Sequence, residues 1–200
     1  MAEAAGHHQG VQGPGDAFQP GLAVQTQPGI AGDGATAPGG QLDPIRRIGA
    51  ESTVRALAEL LVVLPLIYLV TAALGRPAST WEVFGVLGVV FGLLAAQDAV
   101  PTTAVLSAVA VLAVGLALRT RRVDRAFLLQ VAGFVVFAAI AVAAQQVDLG
   151  WARVLVAAGW IGHGLWDYEH RHAHRTVARS FAEFCGLVDV LVGVAVLVVP

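Results

Sequence analysis

The side chains best suited to chemistry are concentrated between His163 and His174. His163, Asp167, His170 and His174 stand at offsets of 0, 4, 7 and 11. On a continuous helix those offsets fall on one stripe. An imidazole and a carboxylate one turn apart can share a metal ion, as the paired histidines of an HExxH helix do. Nitrogen and carboxylate donors of this kind suit zinc, iron or manganese. The next apolar run carries Glu183, Cys185 and Asp189 in its first half. A hairpin turning near Thr176 would set Glu183 level with Asp167, and Asp189 level with His163. The candidate ligands are therefore His163, Asp167, His170 and Asp189, with His174 and Glu183 at the margin.

Asp189 carries the sharpest implication. It lies inside an apolar run from Leu187 to Val199, where a charge costs at least about 2.5 kcal/mol. It must face other helices and find a partner, or be neutral. Three kinds of chemistry fit the set. A metal-dependent enzyme, a hydrolase or an oxidoreductase, would activate water or oxygen against a lipid-like substrate. A proton or ion relay would use Asp189 and His163 as buried titrating groups. A non-catalytic pair of helices would use the same groups as hydrogen bonds, with the outer histidines and arginines meeting anionic headgroups. His172 points off the stripe and is expected in solvent. Cys185, one turn before Asp189, reads as a small buried hydrophobe.

The element His163-Gly-Leu-Trp-Asp-Tyr-Glu-His170, followed by Phe184-Cys185 and Asp189, resembles a pattern in small uncharacterised multi-pass membrane proteins of actinobacterial type. Those proteins carry a His-x-x-Trp-Asp-x-x-His element, then an aromatic-Cys pair and an Asp in the last helix. The resemblance covers about the last quarter of the chain and implies a shared site, without naming a reaction.

The elements that must position this site are membrane helices. Of 200 residues, 56% are hydrophobic and 13% charged, and the mean hydropathy is +0.72. A soluble domain has about a quarter of its residues charged, and a chain this apolar needs a bilayer as its solvent. The net charge of −2 leaves no basic footprint for nucleic acid. One cysteine excludes an internal disulfide and a CxxC-type zinc site. No phosphate-binding glycine loop and no GxSxG nucleophile motif occurs.

Residues 1–43 hold no apolar run and are rich in Gly, Pro, Ala and Gln, a composition that predicts disorder. His7 and His8 fall in this tail and read as solvated. Residues 44–200 form the second region, whose apolar runs are Ala56–Leu74, Val83–Ala96, Val100–Leu118, Ala126–Ala144, Trp151–Trp166 and Phe184–Val199. They predict an all-α polytopic bundle of about six transmembrane helices. The second run is short of the roughly 17 residues a span needs, and five helices is the alternative. Gln130, alone in the fourth run, is placed to hydrogen-bond across the bundle.

All twelve basic residues are arginines. Arg76, Arg119, Arg121, Arg122, Arg125, Arg171, Arg175 and Arg179 lie at the first, third and fifth connectors. Arg46, Arg47, Arg55 and Arg153 lie on the other side. This asymmetry puts the odd connectors in the cytoplasm of a cell-membrane protein. The bilayer is the expected partner, with a second copy or another membrane protein beside it.

Overall fold

The computed structural model describes residues 44–97, 99–173 and 176–198. The expected tail, residues 1–43, lies outside the described residues, as does His174. The described chain is all helical. Its helices are α1 (Pro44–Leu74), α2 (Thr80–Ala95), α3 (Thr102–Arg119), α4 (Arg125–Ala144), α5 (Leu149–Ala173) and α6 (Arg179–Val198).

α1 is the central post. Leu61 to Leu69 are buried on every side, as a helix apolar all round must be. It packs against α2, α3, α4 and α5. The helix starts twelve residues earlier than its apolar run. Its first turns are polar and exposed, with Arg47 Nε donating to Glu51 Oε1 at 3.1 Å and Thr53 Oγ1 donating to the Gly49 carbonyl. Hydropathy marks where a helix can enter apolar surroundings, not where its hydrogen bonding begins.

Helix ends are set by local chemistry. α1 stops at Gly75, whose φ of +61° is left-handed and whose N–H donates to the Thr71 and Ala72 carbonyls. Asp124 caps α4 by accepting from the Phe127 N–H at 2.8 Å. α2 is preceded by a 3-10 turn over Pro77–Ser79, and the two together make a span of 19 residues. That turn resolves the shortage in the second apolar run.

Five helices are long and apolar enough to cross a membrane: α1, α2 with its leading turn, α3, α4 and α6. The sixth, α5, is 25 residues long and carries the His/Asp stripe. It packs on α1 and α4 on one side and most extensively on α6. His163, Asp167 and His170 therefore face protein, while Val86, Leu93, Leu112, Val136 and similar residues of α2, α3 and α4 face outward. Backbone bonding inside helices, with apolar side chains outside, is what lipid requires.

α5 and α6 approach closely because glycines line their seam. A methyl added at Gly193 would lie 2.6 Å from Ile161 Cγ1 and 2.9 Å from the Ala157 carbonyl oxygen. The N-terminus of α6 is tied to that of α2: Ala178 N–H donates to Thr80 Oγ1 at 3.0 Å, and Trp81 Nε1–H to Ser180 Oγ at 3.2 Å. At the opposite end, Arg153 donates from Nη2 to the Val196 carbonyl at 2.7 Å, capping α6.

Candidate functional site

The stripe on α5 is buried against three other helices. His163 is 1% exposed, Asp167 0% and Asp189 1%. His163 Nδ1 lies 2.7 Å from Asp189 Oδ2 and 3.6 Å from Asp167 Oδ2. Asp167 is held from α1, where the Tyr68 hydroxyl donates to its Oδ1 at 2.5 Å. One donor atom from each of His163, Asp167 and Asp189 falls in a group spanning no more than 4.8 Å. Three of the four residues expected to cooperate are thus together.

The fourth, His170, stands beside the group and is engaged elsewhere. Its Nε2 lies 2.9 Å from Gln130 Nε2 on α4, and its Nδ1 lies 2.9 Å from the Trp166 carbonyl oxygen. The carbonyl can only accept, so Nδ1 carries the proton. Nε2 then accepts from the Gln130 amide, and both nitrogens of a neutral ring are used. The expected cross-bundle bond of Gln130 is this one. His170 also stacks on Trp166, with centroids 5.0 Å apart.

Glu183 does not meet Asp167. It is exposed and accepts from Arg179 Nε at 2.8 Å. Gly186 takes the place opposite Asp167: a methyl added there would lie 3.2 Å from Asp167 Cβ. Asp189 does meet His163 as the hairpin expectation has it, so the difference at Glu183 lies in its side chain facing outward from the seam. Cys185 is buried, as expected of a small hydrophobe.

Tyr68 belongs to the site although no sequence motif marks it. It is fully buried, holds Asp167, and sets its ring edge-on to His163 at 5.7 Å and to His170 at 5.0 Å. A signal was present. It is the one tyrosine in the apolar run Ala56–Leu74, and a buried tyrosine needs a partner for its O–H.

The group's charge is unbalanced as it stands. With both carboxylates ionised, even a protonated His163 would leave a net charge of −1 away from water, so the group must take up either a proton or a cation. Isolated charge in such a place costs several kcal/mol. Two atoms show the same deficit locally: Asp167 Oδ2 and His163 Nε2 are buried with no hydrogen-bond partner. A divalent cation with two carboxylates and a neutral imidazole sums to zero. Ligand bonds of about 2.0–2.2 Å to a tetrahedral ion set donors about 3.4 Å apart; His163 Nδ1 lies 2.7 Å from Asp189 Oδ2, so an ion bound through that nitrogen would replace this hydrogen bond and spread the pair. Three protein donors leave a tetrahedral ion one open position.

No family model matches the chain, and no curated protein or solved structure matches it. What is established is the class: a helical, membrane-type bundle with a buried His/Asp group able to hold a metal ion.

Proposed function

We propose that this is a metal-binding integral membrane protein in which His163, Asp167 and Asp189 hold one divalent transition-metal ion, zinc, iron or manganese. The observation that carries the reading is Asp167 Oδ2. It is a fully buried carboxylate oxygen with no hydrogen-bond partner, in a group whose donors converge within 4.8 Å. A carboxylate oxygen with no hydrogen bond of its own in an apolar bundle, and only His163 Nδ1 at 3.6 Å beside it, suits a cation. Tyr68 orients that carboxylate through its other oxygen, the role that outer hydrogen-bond donors play at metal centres.

The open coordination position supports a second, narrower reading, a metal-dependent hydrolase or oxidoreductase acting on a lipid-like substrate. A structural zinc is closed by four protein ligands, and a catalytic one keeps a place for water. The arginine asymmetry supports a cell-membrane location with the odd connectors in the cytoplasm.

The test is the metal content of tag-free protein purified in detergent, beside a His163→Ala/Asp167→Ala variant. The expected result is close to one zinc, iron or manganese per chain, absent from the variant. No stoichiometric metal in the wild type, even after each ion is added back, would sink the proposal. The cluster would then be a protonated hydrogen-bonded pin between α5 and α6.

A further inference from the structure

An ion held by the His/Asp group needs a way in. Three of the grooves that indent the described residues bear on it. Two lie at the end of the bundle where α1 begins, one beside Arg47 and Asp148, the other beside Arg46, Arg153 and Val196. Neither is lined by a residue of the group. The third runs along the outer seam of α5 and α6, lined by Gly164, Tyr168 and Arg171 from α5 and by Glu183, Gly186 and Leu187 from α6, among others.

The floor of this third groove lies directly against the site. It is made where two residues without side chains face each other. A methyl added at Gly186 would lie 3.2 Å from Asp167 Cβ and 4.0 Å from Asp167 Oδ2, the unpartnered oxygen. A methyl added at Gly164 would lie 3.4 Å from Asp189 Cβ. On the side of α1 and α4 the rings of Tyr68 and Phe137 stand edge-on to His163, with centroids 5.7 Å and 5.0 Å away. The mouth of the groove bears polar groups suited to the headgroup zone. The Glu183 carboxylate is there, and the Arg171 guanidinium lies over the Tyr168 ring at 4.2 Å. Glu183, Gly186 and Val190 share one face of α6, so an anionic side chain stands one turn from the glycine wall.

We propose that the metal ion enters and leaves laterally, through the α5–α6 seam at Gly164 and Gly186, which the groove reaches from the side of Tyr168 and Glu183. The proposal rests on the metal-site reading above. It adds a route and a gate: Leu187, 64% exposed, is the side chain best placed to open or close that gate.

The experiment uses the full chain in vesicles, loaded with zinc and exposed to an excess of chelator for timed intervals. Residual zinc is measured by mass spectrometry. Leu187→Trp should slow zinc loss by about tenfold or more at unchanged starting stoichiometry. Leu187→Ala should speed it. Leu191→Trp, on the same helix but away from the groove, should match the wild type. Unchanged rates in both Leu187 variants, at full stoichiometry, would overturn the lateral route and leave the metal site standing. Equal slowing by Leu191→Trp would also overturn the route, since the effect would then not belong to the seam. A wild type that never holds zinc, iron or manganese would overturn the site and the route together.

Discussion

Asp167 is held by two different demands. One oxygen takes the Tyr68 hydroxyl at 2.5 Å, and the other has no partner. Tyr68→Phe keeps the ring and removes the donor. It is expected to destabilise the fold by about 1–2 kcal/mol in a denaturant titration of the detergent-solubilised protein. It should also weaken metal affinity about 10–100-fold, the usual cost of losing a group that orients a ligand. An unchanged affinity would mean that Asp167 is positioned by packing alone. His170 supplies the contrast. Both its nitrogens are engaged by Gln130 and the Trp166 carbonyl. His170→Ala should therefore retain the full metal stoichiometry that Asp167→Ala loses. Loss of the ion in His170→Ala would make it a ligand after all.

The helices decide how close the ligands come. α5 and α6 meet through glycines, and Gly193 has Ile161 Cγ1 and the Ala157 carbonyl where a side chain would begin. Gly193→Leu is expected to force the helices apart and cost about 1–3 kcal/mol, lowering both the melting temperature and the metal content. A variant as stable as the wild type would show the seam to be loose. The end of α3 offers a test of opposite sign. Arg121 adopts a φ of +55°, and the Arg122 N–H donates back to the Ala117 carbonyl at 2.9 Å. That is a left-handed helix stop occupied by a residue with a side chain. Arg121→Gly should raise stability by about 1 kcal/mol, seen as a higher melting temperature, whereas Arg121→Val should lower it.

At the scale of the molecule, the bundle surrounds one buried post, α1, and among the described residues keeps its buried ionisable groups, His163, Asp167, His170 and Asp189, between α1, α4, α5 and α6. The connectors of α1–α2, α3–α4 and α5–α6 carry most of the arginines and gather at one end. There Gly75 abuts Arg122, and Ala178 is bonded to Thr80. With that end in the cytoplasm, a cysteine at Val123 should react with an impermeant thiol reagent only in inverted vesicles. A cysteine at Gln146 should react only in right-side-out ones. Cys185, 4% exposed, should remain unlabelled in both. Labelling in the reverse pattern would turn the bundle over without altering its fold.

The sequence by itself determined the membrane class, the helical fold and the stripe of His163, Asp167 and His170. Those follow from local properties: apolar run length, and side-chain spacing on a single helix. Asp189 was also legible, because a carboxylate inside an apolar run has no solvent to turn to. The tertiary structure alone decided which of these groups meet. Tyr68 lies ninety-nine residues from Asp167 in the chain, and no local pattern encodes that distance. His170 left the donor group because Gln130, from a helix forty residues away, occupies its ring. That Asp167 has Gly186 for a neighbour instead of Glu183 depends on how the two helices face each other. That facing is a property of both surfaces together, so neither segment states it alone.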